Sequence, residues 1–166
     1  LALKAKYYNK SIYYIAEKLY GVEPDEQFLQ VICSLLIKGN RTGKEYHEYF
    51  RLAVEANLKI IGLNEFFIRS MDFETYDLIP QRVLIYFTYS NSLDYLEKAY
   101  LYSNVLRNKE KYEEVYGAYY SKMLPFIEEQ LLKGRINEHL AYLYTCFQKE
   151  VLEKPDNWKA VCDILF

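Results

Sequence analysis

Lys98 to Glu110 reads KAYLYSNVLRNKE, and Leu140 to Val151 reads LAYLYTCFQKEV. Both carry Ala-Tyr-Leu-Tyr, at Ala99 to Tyr102 and at Ala141 to Tyr144, a shift of forty-two positions. At the same shift Ser103 falls on Thr145 and Arg107 on Lys149. Each copy lies in a segment with helical spacing of apolar residues. Ile136, Leu140, Leu143, Tyr144, Phe147 and Val151 form one stripe of the second, with Ala141 and Cys146 beside it. A helix apolar over most of its circumference needs neighbours on both sides.

Outward from these copies the chain reads as helices joined by short connections. Only six glycines and four prolines punctuate it. Ile12, Ile15, Ala16 and Leu19 have helical spacing ahead of Gly21. Pro24 is expected to open a second helix, with Asp25 and Glu26 in the first turn facing the helix dipole. Phe28, Leu29, Ile32, Leu35 and Leu36 form its stripe, and Lys38-Gly39 its end. Thr42-Gly-Lys-Glu45 matches a capping box. The helix after it should carry Tyr46, Tyr49, Phe50, Ala53, Asn57, Ile60 and Ile61 on one face, with Asn57 as a buried amide. Asn64 should cap a short helix, and Pro80 should lie in the first turn of another after Asp77. Ser90-Asn-Ser92 supplies caps for the first Ala-Tyr-Leu-Tyr helix. A long segment from Asn108 meets Pro125, whose ring should bend or restart it. The second Ala-Tyr-Leu-Tyr helix is expected over 136–153, and a last helix after Pro155. No strand-like alternation is sustained, so the fold class is all-α with eight or nine helices.

A helix, a turn, a second helix and a turn, repeating with a period in the thirties to forties, is the signature of an α-solenoid. The alternative is a compact helical bundle in which the tetrapeptide recurs by coincidence, because the chain is rich in Tyr, Leu and Ala. Small residues at the helix crossing, an aromatic one turn away and Gly or Pro at the turns resemble tetratricopeptide-type repeats, over residues 90–160 well and over the rest loosely. The resemblance implies a right-handed α-solenoid of stacked antiparallel helix pairs, binding peptides or protein surfaces without catalysis. The tyrosine-rich helical segments also resemble those of large proteins of low-GC Gram-positive bacteria. Residues 1–166 are taken as one helical-repeat domain of a longer protein.

Lys plus Arg total 21 and Asp plus Glu 23, and no third of the chain is basic enough to form a footprint for nucleic acid. No apolar run is long enough to span a membrane. Three scattered cysteines, Cys33, Cys146 and Cys162, without a CxxC pair, read as reduced thiols of a cytoplasmic protein. Nineteen tyrosines fit two causes: codon usage in an AT-rich genome, and the use of a ring that buries area while its hydroxyl finds a partner.

Signals for chemistry are sparse. His47 sits near Glu45 and Glu48, and His139 beside Glu138, at spacings that point the groups apart on a helix, so no metal or cofactor site is expected. Glu113-Glu114 and Glu128-Glu129 are adjacent, hence diverging by about 100° on a helix, and read as solvated faces. Residues 38–44 hold two glycines and two lysines without the spacing of a phosphate loop. His139 and Cys146 share a helical face, with a buried thiol as the simpler reading. The chain is therefore expected to be no enzyme but a module for protein or peptide binding. The other class it could belong to is an all-α enzyme or small-ligand binder whose site forms only in three dimensions. The candidate partner-binding residues are Tyr100, Ser103 and Arg107 on the first copy and Tyr142, Thr145 and Lys149 on the second. Stacked repeats would align them into a ladder of ring, hydroxyl and cation.

Overall fold

A computed structural model of the chain describes residues 25–72 and 78–165, and the expected helix near Ile12 to Leu19 lies outside them. The described residues form nine α-helices and two short 3-10 turns, and no strand occurs among them. The chain divides into two compact units, one over 1–72 and one over 73–166.

In the described part of the first unit, α1 (Glu26–Lys38), α2 (His47–Glu55) and α3 (Leu63–Ser70) pack on one another. The Asp25 carboxylate caps α1 by accepting from the Phe28 amide at 2.7 Å, so the acidic start acts through a side-chain cap. Such a cap is worth about 1 kcal/mol. Leu29, Ile32, Cys33 and Leu36 are the buried positions of α1. They meet Phe50, Ala53 and Val54 of α2 and Leu63, Phe66 and Phe67 of α3 in one core. Burial pushes the Cys33 thiol up to about 12, and its Sγ lies 3.4 Å from the Tyr49 carbonyl oxygen, to which it donates.

Three expected helix ends differ. The Thr42–Glu45 capping box is not formed: a 3-10 turn, Lys44–Tyr46, leads into α2, and neither start has a side-chain cap. Asn57 is exposed, with a φ of 58°, and ends α2 instead of lying on its buried face. The Leu58 amide there donates back to the Ala53 carbonyl at 3.0 Å, the closing bond of a left-handed C-cap. Asn reaches that conformation more readily than any β-branched or bulky residue. Ile61 beyond it is 96% exposed. Asn64 lies inside α3, whose start is Gly62 at a φ of 84°.

The second unit holds α4 (Gln81–Tyr89), α5 (Tyr95–Arg107), a 3-10 turn (Lys109–Tyr112), α6 (Glu113–Leu132), α7 (Glu138–Cys146), α8 (Gln148–Leu152) and α9 (Pro155–Leu165). The cap of α5 is Asp94, which forms a capping box with Glu97, and not the Ser90-Asn-Ser92 cluster. Pro125 leaves α6 continuous, standing exposed on its surface. The expected helix over 136–153 is two helices: Asn137 caps α7, and Phe147, at φ −107° and ψ 18°, separates α7 from α8. α6 lies at the centre, packing against α4, α5 and α9, while α5 packs most extensively on α7. Tyr119 of α6 is buried and donates its hydroxyl to the Leu84 carbonyl of α4. Tyr102 of α5 meets the rings of Tyr119 and Phe126 edge-on at 5.9 and 5.0 Å. Edge-to-face pairs of this kind add about 1 kcal/mol each beyond their buried area.

Candidate interaction surface

The two Ala-Tyr-Leu-Tyr helices are each other's neighbours. Helical spacing places Ala99, Tyr100 and Ser103 at a crossing that is fully closed: none of the three has exposed surface. The Ser103 hydroxyl donates to the Tyr100 carbonyl at 2.9 Å. Its oxygen stands 3.2 Å from Nδ1 of His139 on α7, where it accepts from the ring N–H. The Tyr100 ring meets the His139 ring edge-on at 5.2 Å. One turn further along α5, the Arg107 guanidinium lies over the Tyr142 ring, 3.7 Å from its centroid. At the other end Arg135, just before α7, lies 4.1 Å over the Tyr95 ring. The three contacts pair 95 with 135, 103 with 139 and 107 with 142. Sequence number rises together on both sides, so α5 and α7 run in the same sense.

This settles where the six candidate residues stand. Tyr100 and Ser103 are covered by α7, so the first copy does not offer an open ring and hydroxyl; their surface is spent on the second copy. Arg107 is exposed but holds Tyr142, which is half-buried. Desolvation raises the Tyr142 phenol pKa, followed in effect by the neighbouring Cys146 thiol. Thr145 and Lys149 are exposed. The six residues thus form a contact between copies at one end and an open face at the other.

The open face belongs to a groove of about 300 Å³. Its walls come from α7 (Ala141, Tyr144, Thr145), α8 (Gln148, Val151, Leu152) and α9 (Val161, Ile164), with Leu131 and Ile136 at one side. Local structure explains its form. Phe147 ends α7 and α8 starts after it, and Asn157 fixes α9 by donating to the Val151 carbonyl at 3.0 Å. Tyr144 donates to the Arg135 carbonyl at 2.7 Å, and burial pushes its phenol up to about 12. Of the lining side chains only Tyr144, Thr145 and Gln148 are polar, and none is a carboxylate, cation, histidine or thiol. The groove can bury apolar surface, and its polar groups are the hydroxyls of Tyr144 and Thr145 and the Gln148 amide.

The remaining signals find ordinary partners. His47 repeats the His139 arrangement in the first unit. Its Nδ1 lies 2.9 Å from the buried Ser70 hydroxyl, which donates to the Phe67 carbonyl at 3.0 Å, and its ring stands 4.9 Å from that of Phe67. Sequence reading missed both histidine pairs, although a signal was present: Phe67 and Ser70, like Tyr100 and Ser103, are an aromatic and a serine three apart on a helix. Cys146 is exposed and Cys33 is the buried thiol, contrary to the reading of Cys146 as buried. Lys44 bonds Asp72 at 2.7 Å, and Glu128 bonds Lys154 at 2.8 Å. Pairs this exposed contribute at most about 1 kcal/mol. Among the described residues no helix is long and apolar enough to cross a membrane, and no group of three or more His, Cys, Asp or Glu could hold a metal ion.

No curated protein and no solved structure matches the chain. Over its whole length, residues 1–166, it matches one family model, and the chain therefore belongs to that family of unknown function (DUF5717), N-terminal.

Proposed function

We propose that the chain is a non-catalytic helical-repeat module, tetratricopeptide-like in its right-handed α-solenoid architecture, that holds protein or peptide partners as a scaffold. One observation carries this reading: the two sequence copies, α5 and α7, lie side by side in the same sense, with Tyr100, Ser103 and Arg107 of the first meeting His139 and Tyr142 of the second. In a solenoid the first helices of successive repeats form one row and the second helices another. Here α6, from the first repeat, packs against both α4 and α9, as the second row of such an array would. The groove on the last copy supports binding over catalysis, since it is open and mostly apolar, and the Tyr144 phenol on its wall is bonded to the Arg135 carbonyl. Free thiols, two of them exposed, fit a reducing compartment such as the cytoplasm, and a bacterial source of the low-GC Gram-positive kind fits the tyrosine-rich composition.

The test is selection of ligands from a displayed peptide library on the immobilised chain, repeated on the Thr145→Arg and Lys149→Glu variants. The expected result is enrichment of amphipathic helical peptides whose affinity falls at least about ten-fold on the Thr145→Arg variant, the loss that closing an anchor pocket causes. Failure to enrich any peptide, or peptides that bind both variants as tightly as the parent, would overturn the reading.

A further inference from the structure

We propose that the groove formed by Ala141, Tyr144, Thr145, Leu152, Val161 and Ile164 is the seat of one more helix of this polypeptide, carried by the chain beyond α9 and lying beside α7 as α7 lies beside α5. The inference rests on the helical-repeat reading and names the occupant of its open face.

The protein supplies the template. Shifted by forty-two, Ala99 becomes Ala141, Ser103 becomes Thr145 and Arg107 becomes Lys149. In the first set Ala99 and Ser103 are buried, and Arg107, itself exposed, lies over the Tyr142 ring of α7, which packs mainly on α5 and more lightly on α6. The second set faces the groove or solvent, and the groove lies between α7 and α9, the counterparts of α5 and α6. Ala141 and Thr145 repeat the register of the buried Ala99 and Ser103 and line the open groove, while Tyr142, the counterpart of Tyr100, is already held by Arg107; the open pair specifies what fills the groove. The occupant is a helix with a hydrogen-bonding side chain where His139 meets Ser103, now facing Thr145. Three residues on it carries an aromatic ring where Tyr142 receives Arg107, now facing Lys149. Between them runs an apolar ridge against Ala141 and Val161.

Two observations place that helix on the same chain. After α6, residues 133–137 suffice to bring α7 back onto α5. Val161 and Ile164, in the last turns of α9, are themselves groove walls, so chain leaving α9 emerges beside the groove and a connection of similar length reaches it. The matched family is described as N-terminal, and these residues are taken as the front of a longer polypeptide. A helix held by a short connection is at high effective concentration, so in the full-length protein it competes with free peptides for the groove that residues 1–166 alone leave open to them.

The experiment uses the full-length protein carrying this segment, with Cys146 and Cys162 replaced by serine. Thr145→Cys is compared with Ser121→Cys, an exposed position on α6, for the rate of maleimide labelling under native conditions. Thr145→Cys should label at least about ten-fold more slowly, independently of protein concentration, as expected for a site shielded until local opening. Equal rates would overturn the inference while leaving the repeat module and its peptide binding intact. Protection that disappears on dilution would overturn it in favour of a second copy. A parallel Ala141→Arg variant should lower the melting temperature of the full-length protein and unmask Thr145→Cys. An unmasked thiol with an unchanged melting temperature would point to a separate partner and overturn the inference as well.

Discussion

Ser103 and His139 join the two repeated helices: the hydroxyl oxygen of one stands 3.2 Å from Nδ1 of the other, in an interface from which water is excluded. The Ser103 hydroxyl also lies 2.9 Å from the Tyr100 carbonyl, to which it donates, and with the His139 proton on Nδ1 the serine oxygen accepts from the ring. Removing either partner deletes this buried hydrogen bond, a loss of about 1 kcal/mol. His139→Ala and Ser103→Ala should therefore each lower stability to denaturant by that amount. The double variant should lose less than the sum, with a coupling of at least about 0.5 kcal/mol. Full additivity in the cycle would mean that the two side chains do not interact.

The same contact predicts a pH dependence. Burial lowers the His139 pKa below its ordinary value of 6.5, with Arg107 acting in the same direction and Glu138 against it. Below that ordinary value the unfolded chain takes up a proton that the folded protein resists, so stability rises with pH across this window. The contribution is fully present above about pH 6.5 and is lost as pH falls toward the depressed folded value. Melting temperatures of the parent and of His139→Gln, measured from about pH 5 to about pH 7.5, should diverge at the upper end and converge at the lower. Parallel curves would remove His139 as the titrating group.

Ala99 and Ala141 occupy equivalent positions but unequal surroundings. Ala99 has no exposed surface at the α5–α7 crossing, while Ala141 lines the open groove. Ala99→Leu should overpack the crossing and cost about 1–3 kcal/mol. Ala141→Leu in the 1–166 chain should change stability by less than about 0.5 kcal/mol, as a substitution outside a closed core does. Thermal melts of the two variants decide it; equal losses would mean that the groove is already closed.

The thiols should separate by reactivity. Cys33 is buried and its pKa is pushed up to about 12, so it holds almost no thiolate at neutral pH. Cys146 and Cys162 are exposed. A thiol-reactive chromophore should modify those two at once in the native protein and Cys33 only on unfolding. Immediate modification of all three would contradict the packing of α1 on α2.

Arg107 over Tyr142 is an exposed cation–π contact, worth about 0.5–1 kcal/mol. Arg107→Glu should destabilise by about that much through the lost contact, without loss of helicity by circular dichroism. A collapse of helicity would show that Arg107 supports the fold by more than this ring.

Helix identity and several ends were legible because they are local. The spacing of Leu29, Ile32 and Leu36 puts those residues on one face whatever lies opposite, and Pro155 opens α9 because its missing amide costs nothing there. Errors arose where two local solutions compete. Thr42 offered a capping box but a 3-10 turn won; Asn57 fitted an apolar stripe but adopted the left-handed cap; Phe147 continued a stripe but broke the helix. The candidate residues were legible as a register but not as a surface. Ala-Tyr-Leu-Tyr fixes which way each side chain points from its own helix, and that is all a local pattern contains. Tyr100 is sealed and Tyr142 half-open because a helix lies against the first and not against the second. Burial is a property of two elements far apart in sequence, so only the tertiary structure decided which copy became core and which was left as a face to be filled.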